Sequence, residues 1–196
     1  HGGGWVQGTP DSIAPLAERF QAAGWDVRNM DYPIWPEASV AEQEEWVRNR
    51  LKKITQEQGS KPLVFGLSAG GHLALRNSNL AKAIVGDSAP VRLDFPVCEG
   101  IAKETKNTCI PMNIAPAFNG QPFGQFNPKE PQAPTLLIHG EKDQLVPVHL
   151  ARRFAEKYDN VDLVVFNGRH GLSNSPDTRN KLFEIMMKWF EDKGIV

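Results

Sequence analysis

Residues 63–75 read Leu-Val-Phe-Gly-Leu-Ser-Ala-Gly-Gly-His-Leu-Ala-Leu. A short apolar run meets a serine set between small residues, and an apolar, helix-compatible segment follows. The pattern predicts a strand, a sharp turn and a helix. Glycines at 66 and 70 let the chain double back where a Cβ would collide. Such a turn lifts the Ser68 hydroxyl above the sheet edge. It also aims the hydroxyl at a helix N-terminus, where free N–H groups can meet developing negative charge. This is the sequence form of a nucleophile elbow, strand, sharp turn and helix in direct succession.

Three companions stand in the order that acyl chemistry at a serine requires. The first is the opening run His1-Gly2-Gly3-Gly4-Trp5. Three successive glycines disfavour helix or strand, but they allow bare N–H groups close to a reacting atom. For a serine attacking an acyl carbon that atom is the oxyanion, and the expected donors are Gly3, Gly4 and Ala69. The competing reading is a flexible terminal remnant with His1 left from a tag. The second companion is Thr135-Leu136-Leu137-Ile138-His139-Gly140-Glu141-Lys142-Asp143. A buried strand ends there, and Asp143 sits in the next turn. A carboxylate in that place can fix a histidine tautomer and stabilise the imidazolium. Asp87, after the strand Ala83-Ile84-Val85-Gly86, is the rival acid. The third is His170, between Arg169 and Gly171 after the strand Leu163–Phe166. Histidine can take a proton from serine and return it to a leaving alcohol. Among the other histidines, His72 reads as packed beneath the serine. His139 reads as ordering the acid loop, and His149 as a solvated helix residue.

These motifs resemble those of α/β-hydrolases with an HGGG oxyanion loop, the hormone-sensitive-lipase-like and small acetyl or feruloyl esterase group. The resembling stretches are His1-Gly2-Gly3-Gly4-Trp5, Gly66 to His72, His139-Gly140 with Asp143 and Val146-Pro147, and His170-Gly171. The resemblance implies a mostly parallel sheet with helices on both faces. It implies a serine carboxylesterase that acts on small soluble esters through an acyl-enzyme. Ser68, Asp143 and His170 would be its catalytic residues, with no cofactor and no metal. An arylformamidase and a plant-wall acetyl or feruloyl esterase are alternatives on the same fold, although the former more often has an aromatic residue where Gly4 stands. A hydrolase-fold binding protein retired from catalysis is the alternative of another class. In the resembled fold the strand that feeds the glycine loop lies beside the elbow strand. Here the glycine loop begins at His1, so the N-terminal strands are expected to be absent from this chain. That strand is expected from upstream residues, a separate fragment or a partner chain.

With 196 residues, the chain has the size of one domain, 1–196, with residues 90–134 as a short cap-like excursion. The net charge is −1, so neither sign dominates and no nucleic-acid footprint is indicated. No apolar run approaches the roughly 20 residues of a membrane span. Helices are expected around Ile13–Phe20 with Gly24 ending it, and from Ser39-Val40-Ala41-Glu42, a capping box, to about Gln56. Others are expected around Leu150–Tyr158, and from Ser175 as cap and Pro176 at the first position, with a buried stripe of Leu182, Ile185, Met186, Trp189 and Phe190. Trp25–Met30 reads as a strand. Within the excursion, Phe95, Phe118, Phe123 and Phe126 read either as a pocket wall or as a surface digression. Trp5 and Trp35 read as pocket wall or core. Cys98 and Cys109, also in the excursion, either form a disulfide, which favours a periplasmic or secreted protein, or remain free thiols in the cytoplasm.

Overall fold

The computed structural model describes residues 1–94 and 111–196, together with the backbone of Val97–Cys98 and Ile110. The expectations for Phe95 and for a Cys98–Cys109 bridge lie outside the described residues.

Four parallel strands make the main sheet, in the spatial order β1 (Leu63–Leu67), β2 (Ala83–Asp87), β5 (Thr135–Gly140), β6 (Val161–Phe166). Every residue of β2 and β5 is buried, as continuous apolar runs require in strands covered on both faces. A two-residue parallel pair, β3 (Val97–Cys98) and β4 (Ile110–Pro111), stands apart from it.

Successive strand residues point to opposite faces, and the helices divide accordingly. Ala83, Val85, Leu136 and Ile138 meet Leu16 of α1 (Ala14–Ala22) and Leu182, Met186, Trp189 and Phe190 of α5 (Pro176–Asp192). Ile84 and Leu137 meet Ala74 and Leu75 of α3 (Ala69–Arg76) and Leu150, Ala151 and Phe154 of α4 (Val148–Lys157). Burying each such Leu or Phe contributes about 1.5–3 kcal/mol, so the sheet interior is where the fold is secured. A third cluster joins Trp5 to Val47 and Leu51 of α2 (Val40–Gln58) and to Phe118 and Phe126.

The capping box is present in full. The Ser39 hydroxyl accepts from the Glu42 N–H, and the Glu42 carboxylate accepts from the Ser39 N–H at 2.8 Å. Gly24 follows α1 at φ 89°, a left-handed residue just beyond the helix end. Two local expectations are corrected. Ser175 precedes α5, but its side chain makes no capping bond; its backbone carbonyl receives the Thr178 and Arg179 N–H groups instead. Trp25–Met30 is not a strand. A strand exists by its partner, and this segment pairs with none among the described residues; it and Leu63, Val64 and Phe65 line one cavity of about 420 Å³. β1 is accordingly an edge of the four-stranded sheet.

Phe118 and Phe126 are core residues at 1% and 5% exposure, with Phe123 packed edge-on against Phe118. Trp5, 2% exposed, also belongs to the core: its ring meets His72 and Phe118 edge to face. Trp35 is partly buried against the same cluster. Among the described residues no helix is long and apolar enough to cross a membrane.

Candidate active site

The C-terminal ends of the parallel strands bring the predicted residues together. Ser68 directly follows β1, Asp143 lies in the turn after β5, and His170 lies on the loop after β6. Ligand sites of parallel α/β sheets form at this edge.

Ser68 sits at φ 50°, ψ −116°. L-residues avoid such backbone, and where it occurs it marks a turn held by its surroundings. The surroundings here are glycines. A Cβ on Gly66 would come within 2.5 Å of the Gly70 backbone, so strand and helix touch where those two residues cross. The Ser68 N–H donates to the Asp87 carbonyl at 2.8 Å, which fixes the turn to β2. The Ser68 hydroxyl lies 2.9 Å from His170 Nε2. On its other side, His170 Nδ1 lies 2.8 Å from Asp143 Oδ2. The carboxylate requires the proton on Nδ1, which leaves Nε2 free to accept from the hydroxyl.

Asp143 has no exposed side-chain area. Burial pushes its carboxyl up, but hydrogen bonds from His139 and His170, the His170 charge and a backbone bond from Val146 together outweigh burial. They hold the carboxyl well below the usual range. Oδ1 accepts the N–H groups of Leu145 and Val146, each at 2.9 Å. His139 Nε2–H donates to the Val146 carbonyl at 2.7 Å and lies 3.2 Å from Asp143 Oδ2, so this histidine shapes the acid turn. Asp87, the rival acid, is elsewhere engaged: its carboxyl accepts from Ser88, Leu172 and Ser173, not from His170. His72 is fully buried, and desolvation drops its pKa to about 4 against the opposing Phe126 carbonyl, with the Arg76 charge lowering it further. It is therefore a neutral packing residue at pH 7. His149 is exposed on α4.

The opening loop is ordered by several bonds. The Trp5 carbonyl accepts from Trp35 N–H at 3.0 Å and from Gln43 Nε2 at 2.9 Å. The His1 ring stacks on Tyr32 at 4.1 Å and lies 3.0 Å from the Asp31 carboxylate, while the Tyr32 hydroxyl donates to the His1 carbonyl. Gly3, at φ 122°, receives Val6 and Gln7 N–H groups on its carbonyl; a Cβ there would fall 1.8 Å from the Gln7 oxygen. A Cβ on Gly2 would meet the Ser68 Cβ at 3.3 Å, so the glycine run borders the serine. The N–H groups of Gly3, Gly4 and Ala69 donate to no acceptor among the described residues. No cluster of metal-ligating side chains occurs among the described residues. Sequence reasoning missed the buried pair Asp87-Ser88 as a support of the His170 loop; the available signal was a polar dipeptide at the end of a wholly apolar strand.

A parallel sheet wrapped by helices, with an elbow serine against histidine and aspartate at its C-terminal edge, defines an α/β-hydrolase. Residues 17–182 match the serine hydrolase (FSH1) family, and the chain belongs to it. Among solved structures it is similar to esterase 2 of Thermogutta terrifontis phosphoramylated by tabun. That match has a TM-score of 0.75 and 22% identity over 100% of this chain and 81% of that one. The butyrate-bound form of the same esterase matches with a TM-score of 0.73 and 23% identity, over 100% of this chain and 82% of that one. A sugar hydrolase from Lactococcus lactis matches with a TM-score of 0.74 and 20% identity over 98% of this chain and 86% of that one. No curated protein matches the sequence.

Proposed function

We propose that the protein is a carboxylesterase that hydrolyses small soluble esters through an acyl-enzyme, on a single domain spanning the chain. The reading rests on one observation, the unbroken hydrogen-bond run from Ser68 Oγ through His170 to Asp143. In this mechanism Oγ bonds to the ester carbonyl carbon as its proton passes to His170 Nε2. The carbonyl electron pair moves onto oxygen, where the Gly3, Gly4 and Ala69 N–H groups receive it. Collapse breaks the bond to the alkoxide, which leaves with the proton from Nε2. Water then repeats the sequence on the acyl-enzyme and frees Ser68. Asp143, ionised at neutral pH, holds the Nδ1 tautomer throughout.

Short acyl groups are favoured. The aromatic residues Phe118 and Phe126 are spent on the core, and each methylene gains about 0.8 kcal/mol only where a pocket receives it. The related esterase with butyrate bound supports the same range. A panel of p-nitrophenyl esters from acetate to palmitate tests this. The best kcat/KM is expected at roughly two to eight acyl carbons, consistent with that methylene increment ending with the pocket. A maximum on palmitate, with activation at an oil–water interface, would contradict it.

A further inference from the structure

The dipeptide Asp87-Ser88, at the end of β2, is wholly buried and touches neither the Ser68 hydroxyl nor the His170 ring. Its side chains take the three backbone N–H groups that directly follow His170. Ser88 Oγ accepts from Gly171 at 3.0 Å, Asp87 Oδ1 from Leu172 at 3.2 Å, and Asp87 Oδ2 from Ser173 at 2.7 Å. The Ser88 hydroxyl donates to Asp87 Oδ1 at 2.9 Å, which joins the two side chains into one acceptor surface. The Asp87 backbone carbonyl meanwhile holds the Ser68 N–H at 2.8 Å. One residue thus grips both the serine turn and the histidine loop, two segments about a hundred positions apart in sequence. Ser88 stands at φ 53°, a conformation that residues with a Cβ avoid. Its own N–H is fixed to the Ile138 carbonyl at 2.8 Å.

We propose that Asp87 and Ser88 are positioning residues that set the separation of Ser68 Oγ and His170 Nε2. This rests on the reading of Ser68 and His170 as nucleophile and base. A buried carboxyl group is costly unless several donors satisfy it, and here the donors are the loop that carries the histidine. Backbone pairing ties that loop to the acid turn, where the Lys142 N–H donates to the Gly168 carbonyl at 2.8 Å; among the described residues it is the Asp87-Ser88 side chains that index the loop to the elbow. Misplacing a reacting group by about 1 Å costs on the order of 100-fold in rate, and losing this clamp frees the loop by that kind of distance.

Ser88→Gly gives the cleanest test, because it removes the hydroxyl while relieving the unfavourable φ. Asp87→Asn is its companion, turning one acceptor into a donor that faces N–H groups. Turnover is measured per active site titrated with a fluorophosphonate, alongside KM, thermal stability and the far-downfield proton resonance of His170 Nδ1–H. The expected result for folded Ser88→Gly is kcat lowered roughly 10- to 100-fold, with KM little changed and the His170 resonance broadened or lost. A purely structural role would lower thermal stability and leave kcat per titrated site and the resonance as in the wild type; that outcome in Ser88→Gly overturns the proposal. Ser68→Ala, run in parallel, separates the two claims. Hydrolysis retained by Ser68→Ala defeats the nucleophile reading, whereas hydrolysis lost there but intact in Ser88→Gly defeats only the clamp.

Discussion

At the scale of single residues, the site depends on which carboxylate faces His170. Asp143 does so at 2.8 Å, while Asp87 is turned to the loop backbone. Asp143→Asn is expected to lower kcat about ten-thousandfold, by the behaviour of triad acids that fix a histidine tautomer. Asp87→Asn is expected to cost far less, and steady-state kinetics on one short ester would compare them. The Asp143 carboxyl is held below its ordinary range, burial opposing and hydrogen bonds prevailing. Its unfolded value lies near 3.9, so its stabilising contribution is whole above about pH 4 and is lost as pH falls through the lower folded value. The gap in thermal stability between wild type and Asp143→Asn should therefore narrow in acid. A gap constant from pH 7 to pH 3 would show that the carboxylate is not specially held. Gly3 offers a second residue-scale test. Its backbone has φ 122° and no room for a Cβ beside Gln7. Gly3→Ala must move the loop, and losing one oxyanion donor lowers kcat about 100- to 1000-fold. Wild-type kcat in a folded Gly3→Ala protein would place the donors elsewhere.

At the scale of elements, His72 couples α3 to the segment around Phe126. It is buried on the helix that begins after Ser68, and its Nε2–H donates to the Phe126 carbonyl at 2.8 Å. Its folded pKa is about 4, below the unfolded value near 6.5. The folded state therefore binds fewer protons between these values. Stability is full above about pH 6.5 and falls as pH drops toward 4, by at most about 1.4 kcal/mol per pH unit. Replacing it, as in His72→Gln, should flatten the pH dependence of thermal stability across that window, whatever its effect at pH 7. An unchanged slope would contradict the buried neutral assignment.

The elements also mark what a sequence can and cannot declare. β2 and β5 are legible because their continuous apolar runs have only one use. The elbow is legible because its glycines are required: Gly66 where strand meets helix, and Gly70 where the helix meets the His1 backbone. The order of Ser68, Asp143 and His170 along the chain already names the residues that meet. Trp25–Met30 is misread because its local pattern suits a strand, while pairing depends on a neighbour that local pattern does not contain. The Ser175 cap is misread because a serine before proline satisfies the statistics of a helix start, yet its hydroxyl makes no capping bond in the fold. The polar pair Asp87-Ser88 at the end of an apolar strand is a signal in the sequence, but its partners, the N–H groups of residues 171–173, are not legible there.

At the scale of the whole molecule, the main sheet ends on two edge strands among the described residues, β1 and β6, and the β1 edge carries Ser68. Among the described residues β1 pairs with β2 alone, and Trp25–Met30 lines the same cavity as Leu63, Val64 and Phe65 of β1. Apolar sheet edges of this kind invite further pairing. Amide exchange should reflect the asymmetry. In β2 and β5, paired on both sides, amides should be uniformly slow, whereas β1 should alternate between slow amides facing β2 and fast ones facing the cavity. Uniform protection along β1 would show that another strand covers its far edge.

The proposed esterase activity stands on Ser68 as an activated nucleophile, and the direct measurement is intact mass and peptide mapping after treatment with a fluorophosphonate. The expected result is one adduct per chain, located on Ser68, absent in Ser68→Ala and greatly slowed in Asp143→Asn. A folded protein that takes no adduct, or takes it on another residue, would contradict the account.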